Sequence, residues 1–434
     1  MKKDVLKYTA YTKKAGADMK IEFGYDNRTE TVDAPDANVI GILEPNELKL
    51  PEMSEDEMVR SAIASPIGSP RLKDIVRRGE KIVIVTSDIS RPMPTWKVMP
   101  ALLDELYAAG CEAKDITLVF ARGVHRAQTD AEREHLAGER AYREIHCIDS
   151  DPDDVELIGT TASGTPVEIM RAVVEADRRI CLGNIEFHYF AGYSGGYKAI
   201  MPGVSTRAAI QMNHRHMVES EAYAGHLEGN PVRDDIEEAG RMVGVDFILN
   251  VVLDAHKNII RAVAGDVVKA HREGCEFLAG LYLKKIDSRA DIVLVSQGGA
   301  PKDANLYQTQ KALDNAKHAV RDGGIIILIG CCKEGYGEKT FETWFREANK
   351  PKDIVDRLNA KFMLGGHKAA AIALVEQRAD IYLVSDWSEE ETQKVFMKKF
   401  TSAQSALDAA ISRLGRDATI IAMPYGGSTL PKVK

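Results

Sequence analysis

The chain has 434 residues and a formal charge of −8, from 57 Lys and Arg against 65 Asp and Glu. That acidic balance argues against general nucleic-acid binding, which needs a basic excess or stripe. A composition 44% apolar and 28% charged excludes disorder as the main state, and the length suggests two or three domains of roughly 150 residues each.

The N-terminus carries positive charge with no apolar run behind it, so it does not read as a secretory signal. Residues 19–25 (MKIEFGY) alternate, residues 26–28 offer a turn, and residues 29–32 resume the alternation, which predicts a small antiparallel piece. A short apolar run follows at 39–43, and 54–65 reads as a helix with an acidic first turn. From about residue 69 the pattern changes. Residues 72–78 are helical in character, 81–86 (KIVIVT) form a strand, and 97–109 form an amphipathic helix stopped by Gly110. Further strand-length runs lie at 116–120, 179–182, 292–295, 325–329, 381–384 and 419–422, most of them separated by helix-like stretches. This alternation predicts an α/β protein of two domains, each with a mainly parallel sheet flanked by helices and an active site in the cleft between them. The expected boundaries are 1–275 for an N-terminal cofactor-binding domain and 276–412 for a C-terminal α/β domain, with about 413–434 returning to the first. No run approaches a membrane span. The six cysteines are scattered without a CxxC pair, which suits free thiols in a reducing cytoplasm.

Four clusters stand where apolar runs end, which is where open α/β sheets bind ligands. In TSDISRPMP (86–94), Asp88 and Arg91 follow a strand, and the arginine fork fits a carboxylate or phosphate. A surface Asp–Arg pair is the plainer alternative. In FARGVHRAQTDAE (120–132), His125 follows Gly123 at a strand end and Thr129 is placed to cap the next helix. The densest cluster, 183–217, holds His188, Lys198, His214 and His216 around the glycine-rich turn Ser194-Gly195-Gly196. The turn is not a Walker A loop, because Tyr197 rather than glycine precedes the lysine. Its backbone N–H groups suit an anion. Lys198 lies among apolar residues, and a buried lysine with a lowered pKa can act as a nucleophile or carry a covalent adduct. The histidines suit a transition metal. In the fourth cluster (296–316), Tyr307 and Lys311 share a helix face with Gln308 beside them. A further stretch, LGGHKAAAIA (364–373), places His367 before small residues, as a pocket wall or as close packing at a helix start.

These motifs together resemble the nickel-dependent lactate racemases and the wider family of 2-hydroxy-acid racemases and epimerases. The likeness is carried in order by SDISRP, RGVHR, EFHYFAGYSGGYKAIMPG, NHRH and GGAPKDANLYQTQK. It is weakest in the first 65 residues and after 330. The resemblance implies a nickel-pincer nucleotide, a pyridinium mononucleotide whose two thio-acid arms hold nickel, attached covalently at Lys198. It implies that His214 ligates the nickel, that Ser194, Gly195 and Gly196 line the cofactor, and that His125 and His188 are paired acid/base residues. Asp88 and Arg91 are then expected at cofactor and substrate, Arg91 and Lys311 in the reaction, and Tyr307, Gln308 and Lys311 at the substrate, whose carboxylate Gln308 and Lys311 would steady. His216 has no role in this scheme, and Ser90 stands where many members have Thr. The expected activity is racemisation or epimerisation at C2 of lactate or a larger hydroxy or sugar acid, by reversible transfer of hydride and proton. Expected partners are the small-molecule substrate, the proteins that build the cofactor, and other copies of the chain in a homo-oligomer, with no nucleic acid and no membrane. Two other readings use the same residues. A divalent-metal lyase or hydrolase would employ His125, His188 and His214, whose spacings match no familiar zinc pattern. A non-enzymatic hydroxy-acid binder would not need both His125 and His188.

Overall fold

A computed structural model describes residues 11–12, 18–46, 52–254 and 256–434. The chain divides into two units, Lys49–Ala279 and a second made of Met1–Leu48 with Gly280–Lys434.

The Lys49–Ala279 unit is built on six strands in the order Ile259–Gly265, Phe247–Leu253, Arg178–Asn184, Ile82–Ser87, Ile116–Ala121 and His146–Asp149. All neighbours are parallel except the first two, which form an antiparallel edge. Ile82–Ser87 is central, and its first five residues are buried, which explains why it reads as a continuous apolar run. The helix Thr95–Ala108 lays Val98, Leu102 and Leu106 on this sheet, and Gly110, at φ +85°, ends it as the sequence predicts. Thr129 and Glu132 form a reciprocal cap on the helix Asp130–Ala137. The chain runs outward from Ile82–Ser87 through Ile116–Ala121 to His146–Asp149. It then returns to the other side of Ile82–Ser87 with Arg178–Asn184. The strand order therefore reverses beside Ile82–Ser87, and the carboxyl ends of three adjacent strands lead into Asp88, Arg122 and Ile185.

The second unit has six parallel strands in the order Lys398–Phe400, Asp380–Val384, Val320–Ile329, Ala290–Ser296, Ile420–Met423 and Val39–Ile42. The predicted antiparallel piece is present as Met19–Tyr25 paired with Arg28–Ala34. Its inward residues Ile21, Phe23 and Val32 share one core with Ile292, Leu294, Ile325 and Ile327.

This division differs from the boundaries expected from sequence. The first 48 residues leave the N-terminal domain, because Val39–Ile42 pairs with Ile420–Met423 and the hairpin covers the C-terminal sheet. Residues 413–434 stay with the second unit for the same reason: Ile420–Met423 pairs with Ala290–Ser296, and Leu430–Val433 with Leu283–Ile286. Among the described residues no helix is long and apolar enough to cross a membrane.

Candidate functional site

Asp88 follows the central strand and is 3% exposed. Its Oδ2 lies 2.7 Å from His125 Nδ1, and its Oδ1 accepts from Ser90 Oγ at 2.6 Å. Burial pushes this carboxyl up, yet hydrogen bonds from His125 and Ser90 and the charge of Arg91 help hold it below the usual range. An ionised Asp88 can only accept, so Nδ1 of His125 carries the proton and Nε2 is left as a proton acceptor. The turn that presents His125 is fixed at both ends. The Gly123 N–H donates to the Gly203 carbonyl at 3.0 Å, and Arg122 Nη1 donates to the His125 carbonyl at 3.1 Å.

His188 lies in the short strand Phe187–His188, which pairs with Gly192–Tyr193. The Ala191 N–H donates to His188 Nδ1 at 3.3 Å, which places the neutral ring's proton on Nε2. Burial, then the charges of Lys198, Arg91, His214 and Arg233, pull this imidazole well below its ordinary value. The two histidines thus rest in opposite tautomers.

Lys198 sits in the one-turn segment Gly196–Ala199. Burial, then the positive charges of Arg233 and Arg91, pull its amine well below 10.5, with Glu186 opposing. Phe190 organises the cluster. Its ring centroid is 5.9 Å from Lys198 Nζ, 4.5 Å from the His188 ring and 4.9 Å from the His214 ring, with both imidazoles set edge to face. His214 comes from the helix Arg207–Arg215, capped by Thr206. The Lys49–Ala279 unit therefore holds two groups, Asp88 with His125 and Lys198 with His188 and His214 around Phe190, and the charge of Arg91 acts on both.

The turn before Lys198 is held from the protein side. Ser194 Oγ donates to the Asn184 carbonyl at 2.7 Å, the Gly196 N–H donates to Asn250 Oδ1 at 2.8 Å, and His271 Nε2 donates to the Ser194 carbonyl at 2.8 Å. Gly195 has φ +77°, and a Cβ there would lie 2.8 Å from Asn250 Oδ1, so this position admits glycine alone without strain.

Sequence reasoning missed the support beneath the cluster. Arg233 is fully buried in the first turn of the helix Pro231–Val243. It donates from Nε to the Ala191 carbonyl at 3.2 Å and from Nη2 to the Tyr193 carbonyl. Asn230 Nδ2 donates to the Phe190 carbonyl at 2.9 Å. The two residues clamp the turn that carries His188 and Phe190. Asn-Pro before an apolar-periodic run marks this helix start, although nothing local links it to residue 188.

Tyr307, Gln308 and Lys311 belong to the second unit, on the first turns of the helix Leu306–Ala316, with Asn305 Oδ1 capping the Gln308 N–H at 3.0 Å. Lys368, passed over in the sequence within LGGHKAAAIA, reaches this group. Its Nζ donates to the Tyr307 carbonyl at 2.8 Å and lies 4.0 Å from the Tyr307 ring centroid. A lysine in the first turn of a helix, where the dipole disfavours a cation, is the signal that marks it. His367 accepts the Gly365 N–H at 3.0 Å on Nδ1, at the start of the helix Gly366–Glu376.

Among the described residues no group of three or more His, Cys, Asp or Glu converges as a metal cage. His214, the half-buried Lys198 and the glycine turn before it are the residues here that fit a group bringing both an anion and a metal. Arg233 Nη1, a buried donor without a hydrogen-bond partner among the described residues, adds positive charge suited to an anionic group.

Residues 25–225 match the family model of the lactate racemase N-terminal domain, and residues 285–430 that of the lactate racemase C-terminal domain. The chain is 35% identical to the lactate racemase of Thermoanaerobacterium thermosaccharolyticum over 95% of its length and 99% of that protein. It is 31% identical to the lactate racemase of Lactiplantibacillus plantarum, again over 95% and 99%. The solved lactate racemase apoprotein from T. thermosaccharolyticum superposes with a TM-score of 0.84 at 34% identity, covering 95% of this chain and all of that one. A protein from Thermotoga maritima shares the fold at a TM-score of 0.57 and 20% identity, over 88% of this chain and 97% of its own. With two domain models matched in order and relatives aligned along nearly their whole length, the chain belongs to the lactate racemase family.

Proposed function

We propose that the chain is a racemase or epimerase acting at C2 of a 2-hydroxy acid, with a nickel-pincer nucleotide attached at Lys198 and its nickel ligated by His214. The observation that carries this reading is the half-buried Lys198, whose amine shares the Phe190 ring with His188 and His214. When bound, that group supplies an acceptor for the C2 hydrogen and its electron pair, which avoids building negative charge next to the carboxylate.

The chain's own residues handle the hydroxyl proton. The two enantiomers present the hydroxyl differently, so two proton carriers are needed. His125 accepts on Nε2 while Asp88 holds its Nδ1–H. His188 serves as the second carrier in the tautomer that leaves Nε2 free, which forgoes the long 3.3 Å bond from the Ala191 amide to Nδ1. Arg91, Gln308 and Lys311 hold the substrate carboxylate through charge-assisted hydrogen bonds, with Tyr307 beside them. Asp88, Ser194, Gly195 and Gly196 line the cofactor. Both curated relatives are named lactate racemases, so lactate is the first substrate to test. Maturation requires the proteins that build the cofactor.

The test loads the enzyme with cofactor and supplies single enantiomers of lactate and of larger 2-hydroxy and aldonic acids, deuterated at C2. Chiral chromatography should show racemisation or epimerisation with the label kept at C2. Exchange of that label with solvent would overturn the hydride scheme.

A further inference from the structure

Two helix starts and two lysines meet in the second unit. Tyr307 and Gln308 lie in the first turn of Leu306–Ala316, Lys311 one turn further, and Lys368 in the first turn of Gly366–Glu376. The N-terminal end of a helix carries partial positive charge, so both helices add to the field of the lysines. Lys368 is 8% exposed and uses one of its three N–H donors on the Tyr307 carbonyl. Burial draws its amine down to about 7, the charge of Lys311 adds to this, and Asp314 opposes it. Asp314 is itself engaged by Lys317 Nζ at 2.7 Å. Among the described residues neither Lys311 nor Lys368 forms an ion pair with a carboxylate. Two amines so placed repel each other until an anion is bound between or beside them.

The carboxylate shared by every 2-hydroxy acid occupies Gln308 and Lys311 in the function proposed above, on which this inference rests. That leaves Lys368 with its spare donors. We propose that Lys368 is a specificity-determining residue that binds a second carboxylate, so that the preferred substrates are 2-hydroxy dicarboxylic acids rather than lactate.

The experiment compares malate with lactate on the cofactor-loaded full chain, using wild type, Lys368→Met and Lys368→Arg. Wild type should prefer malate. Lys368→Met should lower the malate-to-lactate ratio of kcat/KM by about 10- to 100-fold, the scale of one charge-assisted hydrogen bond, and Lys368→Arg should recover part of it. A structural role for Lys368, as a staple between two helices, would lower both substrates together and leave the ratio unmoved. An unmoved ratio, or a wild type with no preference for malate, overturns the proposal. Should Lys368→Met fail to fold, the ratio in Lys368→Arg decides. If loaded enzyme turns over neither acid, the racemase reading fails. Calorimetry of malate on the apoprotein then decides Lys368 separately: binding lost in Lys368→Met upholds its role, and unchanged binding overturns it.

Discussion

In the proposed function, Lys198 is the residue on which the Lys49–Ala279 unit depends most. Its amine is pulled well below 10.5, first by desolvation and then by the charges of Arg233 and Arg91. Lys198→Ala should remove covalent attachment of the cofactor, read as loss of the adduct mass in intact-protein mass spectrometry of loaded enzyme. The same residue predicts a pH dependence of the apoprotein. Unfolding returns the amine to its ordinary value, so the unfolded chain binds a proton that the folded chain lacks at pH values between the folded and unfolded pKa. Wild-type stability relative to Lys198→Met should therefore rise with pH towards 10.5 and be lowest below the folded value. Urea unfolding at pH 6, 8 and 10 checks this, and a gap independent of pH would contradict it. For the proton carriers, His125→Ala and His188→Ala should each cut turnover by about 10²–10⁴-fold while the bound nickel content is unchanged. Steady-state rates and metal analysis measure both. All three were singled out from the sequence, because Lys and His packed among glycines and aromatics are uncommon. The tautomers were not, since they depend on Asp88 and the Ala191 amide approaching from other turns.

At the scale of elements, the turns that follow strands decide what the site can hold. Ser194-Gly195-Gly196 is shaped by Asn250 from the strand Phe247–Leu253 and His271 from the helix Val267–Tyr282. Gly195→Ala forces a side chain into a left-handed conformation against Asn250 and should destabilise the protein by about 1–3 kcal/mol, measured by chemical denaturation. It should also reduce cofactor loading, since Lys198 is three residues on. The strands themselves were plain in the sequence. The apolar runs at 81–86, 116–120, 292–295 and 325–329 all coincide with strands, because a strand buried on both faces has to be apolar throughout. The Arg233 and Asn230 clamp was invisible by comparison. A buried arginine is recognised by the carbonyls it meets, and those lie about 40 residues away.

The whole molecule places the N-terminal hairpin on the C-terminal sheet. Phe23 is fully buried there, in one core with Ile292, Leu294, Ile325 and Ile327. Phe23→Ala should cost about 3–5 kcal/mol. Hydrogen exchange should locate the loss in the strands Ala290–Ser296 and Val320–Ile329, and leave Ile82–Ser87 and Ile116–Ala121 protected. Faster exchange in the latter pair instead would contradict the division into units.

The sequence by itself determined the class of fold and the family, since each is written in local periodicity or in short ordered motifs. Only the tertiary structure decided which unit owns the first 48 residues, which tautomer each histidine holds, and that Lys368 joins Tyr307 and Lys311. Each of these depends on pairing or burial between segments far apart in the chain, and hydrogen bonds and desolvation act through space without leaving a local pattern.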